Sequence, residues 1–145
     1  MLNKGYFISF EGIDGCGKTT QIKKTLTYLN NKNKEAIKTR EPGGTKIGEK
    51  IRSILLGNEN NEMDYRTEAL LYAASRAQHV NELIKPALLQ KKIVVSDRFI
   101  HSSLIYQGIG RELGIEKIAE INEFALCGCM PDLSIFLDIS NWSFR

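Results

Sequence analysis

The stretch FEGIDGCGKTTQ occupies Phe10–Gln21 and directly follows the short apolar run Tyr6–Ser9. Within it, Gly12–Thr19 spells G-x-x-x-x-G-K-T, the pattern of a loop that wraps around phosphate groups. The glycines allow successive backbone N–H groups to converge on phosphate oxygens, and the following helix adds its positive end. Because the pattern stands between an expected strand and an expected helix, we favour a phosphate-binding loop over an incidental glycine-rich turn.

The loop predicts where a nucleotide's phosphates bind. Lys18 is expected to reach the outer phosphates, and the Thr19 hydroxyl is expected to contact Mg²⁺. The other predicted contacts come from the loop residues Gly12, Ile13, Asp14, Gly15, Cys16 and Gly17.

Asp97 and Arg98 follow the β-branched run Ile93–Ser96. An acidic residue at the end of a buried strand can face the same crevice and hold the water shell of Mg²⁺. The alternative role for Asp97 is a cap on the following helix. Arg98 would be an unusual residue to bury without an anion, so we expect a phosphate partner for it.

Two further groups of side chains have two interpretations each. Tyr72, Arg76 and His79 share one face of a predicted helix, either as a nucleotide-binding wall or as an amphipathic helix with a core tyrosine and a solvated arginine. Ser103 and Gln107 share a face if their segment is helical. They can then hydrogen-bond a base edge, or they belong to an ordinary polar helix surface.

Strand-like and helix-like segments alternate along the chain. Ile93–Ser96 is typical of a strand buried on both faces. Strands separated by helices predict an α/β fold with a parallel sheet and right-handed crossovers. The predicted strands cover residues 6–10, 35–39, 93–96 and 133–138, and the predicted helices cover residues 18–30, 47–55, 64–90 and 115–126, with a kink or restart at Pro86.

Length and composition favour one folded domain over residues 1–145. The chain has 42% hydrophobic and 26% charged residues, close to the average for globular proteins. No apolar run reaches the roughly 18 residues of a membrane span, and three cysteines make no disulfide framework, so we expect a cytoplasmic protein. Residues 1–60 hold eleven Lys and Arg against six Asp and Glu, which suits a small anionic ligand and does not require nucleic acid.

Five segments together resemble bacterial thymidylate kinases. They are FEGIDGCGKTTQ, TREPGGT, RTEALLYAASRAQH, DRFIHSSLIYQG and NEFALCGCMPDLSIFLD, which stand in the family's order and spacing and cover nearly the whole chain. The resemblance implies a P-loop α/β fold like that of nucleoside monophosphate kinases, with a parallel sheet flanked by helices. It also implies transfer of the γ-phosphate of ATP to dTMP with Mg²⁺, giving dTDP and ADP, by a homodimer.

The resemblance also implies roles for individual residues, position by position. Gly12–Thr19 would bind the ATP phosphates, with Asp14 near the acceptor's sugar and Mg²⁺. Glu41 would lie in the loop beside the acceptor, and Arg52 would help to hold its phosphate. The remaining acceptor contacts would be Tyr72 stacking on the base, Arg76 gripping phosphate or base, Arg98 bridging donor and acceptor phosphates, Ser103 and Gln107 reading the base edge, and Tyr106 near the sugar.

The implied chemistry is phosphoryl transfer, in which positioning and charge neutralisation dominate. We expect Lys18, Arg98 and Asp14 to carry the catalysis. Mg²⁺ would be held by Thr19 and Asp97.

Two departures from the family pattern lead to further expectations. His101 stands where the family commonly has an acidic residue, and we assign it no role. Family members continue through an arginine-bearing lid, a last strand and a terminal helix, whereas seven residues follow Asp138 here. Gly15 replaces the phosphate-loop arginine of another branch, so we expect this chain to lack both sources of that arginine and to be weakly active or inactive.

These features leave three hypotheses. The first is the body of a thymidylate kinase, shortened by a frameshift, a gene-model error or deliberate truncation, and the tail NWSFR motivates the frameshift. The second is a non-catalytic nucleotide-binding module that pairs with a full-length kinase. The third is another small-substrate P-loop kinase.

Overall fold

A parallel sheet organises the molecule, whose computed structural model describes residues 5–138. Within that range the sheet has four strands, β1 (Tyr6–Glu11), β2 (Ala36–Arg40), β3 (Ile93–Asp97) and β4 (Leu133–Phe136), in the order β2-β3-β1-β4. Tyr6 lies opposite Ile93 and Phe10 opposite Asp97, so the carboxyl ends of β1 and β3 meet at one edge. The predicted parallel α/β arrangement is confirmed. Residues 139–145, including the tail NWSFR, lie outside the described residues.

Helices connect the strands and cover the sheet. The described part of the chain contains α1 (Lys18–Asn31), α2 (Lys46–Leu56), α3 (Tyr65–His79), α4 (Lys85–Leu89), α5 (Ile100–Ser103) and α6 (Ile115–Leu126). A 3-10 turn at Asn58–Asn60 follows α2, and two π-helical turns cover Val80–Ile84 and Leu104–Gly110. None of the helices between residues 5 and 138 has the length and apolarity to cross a membrane.

Apolar residues are buried on both faces of the sheet. On one face, Phe7 and Val94 pack with Val80, Ile84 and Phe99. The opposite face has its own cluster, whose members are Ile8, Phe10, Ile22, Ile93 and Val95. Successive strand residues point to opposite faces, so a central strand covered on both sides needs a continuous apolar run. This explains why Ile93–Ser96 does not alternate with polar residues.

The prediction of one long helix over residues 64–90 needs correction. Asp64 caps its start, since its Oδ1 accepts from the Arg66 backbone N–H at 3.0 Å. After α3 the backbone widens into the π turn Val80–Ile84 and then resumes as α4. Pro86 lies in the first turn of α4, directly after the π turn. The predicted kink or restart at Pro86 corresponds to this change from π to α geometry.

The segment after β3 also differs from the expectations. The short α5 has Phe99 at its N-cap and no side-chain cap, so the cap role considered for Asp97 is wrong. Ser103 ends α5 and Gln107 lies in the following π turn, so the segment is helical but not regularly α-helical. The fourth strand is shorter than predicted and ends at Phe136.

Candidate functional site

The loop between β1 and α1 has the backbone that its glycines predict. Gly12 has φ +140°, and a Cβ there would lie 2.7 Å from the Leu137 carbonyl oxygen and 2.8 Å from Cys16 Sγ. Gly17 has φ +92° at the N-cap of α1. A side chain at Gly12 would therefore meet both a clash and an unfavourable backbone conformation. The loop leads directly into the N-terminus of α1, where unpaired N–H groups favour anions.

Lys18 holds a positive charge at the centre of this loop. Its Nζ donates to the carbonyl oxygens of Gly12 at 2.9 Å and Ile13 at 2.8 Å. The side chain is only 7% exposed, so the loop encloses most of it. The ammonium group thus lies where the motif requires a cation.

A pocket of about 390 Å³ opens beside the loop, and we call it the outer pocket. It is lined by Asp14, Gly15, Gly17, Lys18, Thr19, Arg40, Glu41, Arg52, Asp97 and Arg98. Four cationic side chains face three carboxyl groups there, a balance that suits a polyphosphate. Thr19 and Asp97, the two predicted Mg²⁺ contacts, line the same pocket although they are far apart in the sequence.

A second cavity of about 300 Å³ adjoins the outer pocket, and we call it the inner cavity. It is lined by Asp14, Glu41, Pro42, Arg52, Leu56, Tyr72, Arg76, Arg98, Phe99, Ser102, Ser103, Tyr106 and Gln107. All eight predicted acceptor contacts are among these residues. Asp14, Glu41, Arg52 and Arg98 line both spaces, so the two meet at these side chains.

Arg98 stands at the junction between the outer pocket and the inner cavity. Its Nη2 donates to Asp14 Oδ1 at 2.6 Å, and its Nη1 donates to Ser102 Oγ at 3.1 Å. The guanidinium also lies over the Tyr106 ring, 5.3 Å from the centroid. The hydrogen bond from Arg98 lowers the pKa of Asp14 below its ordinary value. Asp14 therefore stays ionised beside the cation that adjoins both spaces.

Arg76 is buried in the wall of the inner cavity. Its side chain is 1% exposed, and its Nε donates to Glu41 Oε2 at 2.8 Å. Nη1 donates to Asn122 Oδ1, and Nη2 donates to Ser103 Oγ at 3.1 Å. The guanidinium also stacks on the Phe99 ring at 5.3 Å. The alternative of a solvated arginine on an amphipathic helix is therefore wrong.

Glu41 has a second buried partner in His79. The Glu41 carboxylate can only accept, so His79 Nδ1 donates to Oε1 at 3.0 Å. On the other side of the ring, Nε2 lies 2.6 Å from the Thr39 hydroxyl. His79 is fully buried and supports Glu41 without lining either space.

Thr39 and Asn122 belong to this network, and the sequence did not single them out. Asn122 follows Ile118 by four residues and lies on the buried face of α6. A polar side chain on an apolar helix stripe indicates a buried hydrogen-bond partner, and this was the signal available for Asn122. Thr39 had no comparable signal, because it lies in a short strand of mixed polarity.

Two more predicted contacts, Arg52 and Tyr72, line the inner cavity from α2 and α3. Arg52 on α2 donates from Nη1 to the Pro42 carbonyl oxygen at 2.9 Å, which ties it to the turn after β2. Tyr72 on α3 is partly buried, and this burial raises the pKa of its hydroxyl. Tyr72 therefore stays neutral near pH 7 and presents an aromatic ring to the cavity.

His101 now has a defined environment beside Glu11. The Glu11 side chain is 2% exposed and accepts from the Phe99 N–H at 2.9 Å and from Ser102 Oγ at 2.6 Å. His101 Nδ1 lies 3.7 Å from Glu11 Oε1, and its ring meets the Phe136 ring edge-on at 5.2 Å. Burial raises the pKa of Glu11 above its ordinary value, against opposing hydrogen bonds and nearby positive charge.

Comparison with known proteins agrees with this geometry. Residues 10–142 match the family model described as thymidylate kinase. The thymidylate kinase of Finegoldia magna is 61% identical over 133 residues, which cover 92% of this chain and 66% of that protein. The thymidylate kinase of Lactobacillus helveticus is 58% identical over 138 residues, covering 94% of this chain and 65% of that protein. This chain thus spans just under two thirds of the length of these relatives.

A solved structure extends the agreement to three dimensions. The crystal structure of thymidylate kinase from Ehrlichia chaffeensis matches with a TM-score of 0.86 and 40% sequence identity. The match covers 93% of this chain and 77% of that chain. The fold is therefore that of P-loop nucleoside monophosphate kinases, and the chain belongs to the thymidylate kinase family.

Proposed function

We propose that this protein transfers the γ-phosphate of ATP to dTMP, giving dTDP and ADP. The observation that carries the proposal is the meeting of the two spaces at Arg98. The outer pocket is built around a phosphate-binding loop, and the inner cavity presents an aromatic ring and hydrogen-bonding side chains. A donor's last phosphate and an acceptor's phosphate can then lie on either side of one guanidinium.

The outer pocket is the proposed ATP site. Backbone N–H groups of the loop and the Lys18 ammonium bind the phosphates there. The Thr19 hydroxyl and the Asp97 carboxylate are the oxygen ligands that Mg²⁺ prefers. Between residues 5 and 138 no group of three or more His, Cys, Asp or Glu is arranged to hold a metal, which fits an ion held largely by substrate phosphates and water. When bound, Mg²⁺ neutralises charge on the phosphates.

The inner cavity is the proposed dTMP site. Arg52 and Arg98 bind the acceptor phosphate, and Tyr72 stacks on the thymine ring. Arg76 has fewer free donors than the sequence suggested, since three of an arginine's five N–H donors make hydrogen bonds to Glu41, Asn122 and Ser103. Its Nη2 also lies 2.7 Å from Glu41 Oε2.

The remaining predicted acceptor contacts also line the inner cavity. Ser103 and Gln107 are proposed to read the base edge, Tyr106 lies near the sugar, and Glu41 lies beside the acceptor. Asp14 is proposed to lie near the acceptor's sugar, in ion contact with Arg98.

In phosphoryl transfer, the protein contributes mainly by aligning the two phosphates and by neutralising their charge. Lys18 and Arg98 supply fixed positive charge on the donor side and at the junction. Because Arg98 is tied to Asp14 and Ser102 before substrate arrives, it needs little reorganisation during the reaction.

A coupled assay of ADP release tests the proposal. ATP, Mg²⁺ and dTMP are supplied together, and we expect slow ADP release that depends on dTMP, in line with the weak activity that the family resemblance implies. The variant Lys18→Ala should abolish it, whereas Lys23→Ala on the exposed side of α1 should not. ADP release that continues without dTMP, or that survives Lys18→Ala, contradicts the proposal. A faster reaction with dUMP, dCMP or AMP would favour the other small-substrate kinase.

The family resemblance also motivates a cytoplasmic homodimer as a proposal. Exposed apolar side chains on α3 and α6, Leu70 at 55% and Phe124 at 90%, are compatible with a covered surface. Light scattering after size exclusion should give twice the chain mass of 16.4 kDa. A mass that stays at one chain at all concentrations contradicts it.

A further inference from the structure

Gln107 is held in one orientation by Glu68. Gln107 is 4% exposed and lines the inner cavity, and its Nε2 donates to Glu68 Oε1 at 2.9 Å. An ionised carboxylate can only accept hydrogen bonds, so the amide nitrogen has to face it. The amide oxygen then lies on the side away from Glu68. No residue in the described part of the chain donates a hydrogen bond to this oxygen, which leaves it free to accept from a ligand.

Arg111 holds Glu68 in place from the other side. Its Nε donates to Glu68 Oε1 at 3.3 Å, and its Nη2 donates to Oε2 at 3.1 Å. The Glu68 side chain is 16% exposed, whereas that of Arg111 is 42% exposed. The pair therefore stands at the rim, with the carboxylate turned inward and paired with the guanidinium on its outer side.

Ser103 is oriented in the opposite sense by Arg76. A guanidinium can only donate, and Arg76 Nη2 donates to Ser103 Oγ at 3.1 Å. The Ser103 hydroxyl therefore accepts from Arg76 and keeps its own hydrogen for donation. Ser103 and Gln107 are four residues apart and line the same cavity. Together they present one hydrogen-bond donor and one acceptor.

This pattern matches one kind of pyrimidine edge. Thymine and uracil present the C4 carbonyl, which accepts, beside N3–H, which donates. Cytosine presents the reverse, an amino group that donates beside an N3 that accepts. We propose that Glu68, held by Arg111, is a positioning residue that fixes the Gln107 amide so that the inner cavity selects bases with an N3–H and rejects cytosine.

The inference rests on the proposed dTMP site and adds the origin of its selectivity. With Glu68 in place, cytosine can bind in two ways, and both are unfavourable. In the first, its N3 acceptor faces the Gln107 amide oxygen, which is also an acceptor. In the second, the amide is rotated to offer its N–H to N3, and its oxygen then faces the Glu68 carboxylate. A neutral partner that can donate as well as accept removes the second penalty. The rejection of cytosine then weakens, although the Ser103 donor still opposes its amino group, while thymine still binds.

Calorimetric titration of the 145-residue chain with dTMP, dUMP and dCMP tests this with Glu68→Gln. We expect dCMP to bind about tenfold more tightly to the variant, since a tenfold change corresponds to about 1.4 kcal/mol. The dTMP and dUMP affinities should stay within about twofold, because one hydrogen bond to their shared edge is kept. A merely structural role for Glu68 would weaken all three ligands together, so that result, or an unchanged dTMP-to-dCMP ratio, overturns the inference.

Two further variants complete the design. Glu120→Gln on the exposed side of α6 makes the same charge change elsewhere and should leave all three affinities unaltered. Arg111→Gln removes the guanidinium that holds Glu68 from the surface side. It should raise dCMP affinity by less than the tenfold expected for Glu68→Gln. This variant tests the positioning role of Glu68 even where Glu68→Gln does not fold. A wild-type chain that binds none of the three ligands contradicts the proposed function, whereas a binding chain with unaltered ratios in both variants contradicts only the role of Glu68.

Discussion

The outer pocket and the inner cavity are built in different ways. The outer pocket is dominated by the consecutive residues Gly12–Thr19, whose backbone N–H groups and helix terminus are the proposed phosphate-binding groups. The inner cavity is dominated by side chains from separate elements, among them Glu41 after β2, Arg76 on α3 and Ser103 on α5. Glu41 and Arg76 are both at most 3% exposed and bind each other, whereas Asp14 in the outer pocket is 98% exposed.

This difference predicts whether a substitution in each site changes ligand binding or the stability of the folded state. A backbone-built loop depends on conformation and on one cation, so changes there should affect ligand binding more than folding. A network of buried charges depends on every partner being present, because a buried charge without its partner is strongly unfavourable. Changes in the inner cavity should therefore affect the folded state first.

The largest expected effect comes from Arg76→Ala. It leaves Glu41 buried without its guanidinium, and the free energy of unfolding should fall by about 3–5 kcal/mol. Urea titration followed by circular dichroism measures it. The matched control is Arg66→Ala, whose ion pair with Asp64 is mostly exposed, and it should cause no measurable change. Equal small losses in both variants would mean that the buried pair does not hold the inner cavity together.

The next effect concerns ligand binding in the outer pocket. Lys18→Ala removes a charged donor, and ATP affinity should fall about 10- to 100-fold, from the roughly 1.5–3 kcal/mol of a hydrogen bond to a charged group. Calorimetry should show dTMP affinity and the unfolding midpoint nearly unchanged, with Lys23→Ala as the control. A large loss of stability in Lys18→Ala would remove the proposed contrast between the two regions.

Gly44 lies behind the inner cavity and offers a third test. Its φ is +83°, and a Cβ would lie 2.7 Å from Thr39 Oγ1 and 2.8 Å from the His79 ring. Gly44→Ala should lower the free energy of unfolding by about 1–3 kcal/mol through overpacking and backbone strain.

Gly114→Ala is the matched control, since Gly114 has φ +90° with nothing within 4 Å of its Cβ position. The difference between the two variants in thermal unfolding measures the clash alone. If Gly114→Ala is as destabilising as Gly44→Ala, the packing around His79 has no special role.

The smallest effect is a pH dependence at Glu11, whose carboxylate accepts from Phe99 and Ser102 in the wall of the inner cavity. Burial raises the folded-state pKa of Glu11 above its ordinary value of 4.5, although His101 and Arg76 oppose the shift. The folded state therefore binds this proton more tightly than the unfolded state. Stability contributed by the protonated group is present below pH 4.5 and is lost as pH rises through the folded-state pKa.

Glu11→Gln stays neutral at every pH and should reduce this decline. The expected change of slope is at most about 1.4 kcal/mol per pH unit over that window. Thermal unfolding across the acidic range measures it, and Glu116→Gln on the exposed start of α6 serves as the control. A variant that retains the wild-type slope would assign the pH dependence to other groups.

The phosphate loop was predictable from local sequence, whereas the side-chain network around the inner cavity was not. The phosphate loop is contiguous, and its glycines and lysine have few alternative uses, so its placement on a strand–loop–helix unit followed from the pattern. Tyr72 and Ser103 each had an equally good ordinary interpretation, and the family resemblance was needed to prefer the functional one. Glu68 and Thr39 attracted no attention, because their roles depend on partners elsewhere in the chain.

Local sequence also misjudged the environment of several side chains. Arg76 had a solvated alternative from its helix alone, yet it is buried, since Glu41 arrives from a turn 35 positions earlier. The long helix before β3 is broken by a π turn, which no 3.6-residue periodicity indicates.

The sequence by itself determined the parallel α/β fold and the phosphate loop, because these depend on short-range periodicity and backbone conformation. The candidate residues around the loop came largely from the family resemblance. Only the tertiary structure decided how those residues are paired. It placed Arg98 between the two spaces, joined Glu41 to Arg76 and His79, and turned the Gln107 amide toward Glu68. Hydrogen-bond polarity and burial depend on which groups meet in space, and for these residues the partners come from distant parts of the chain.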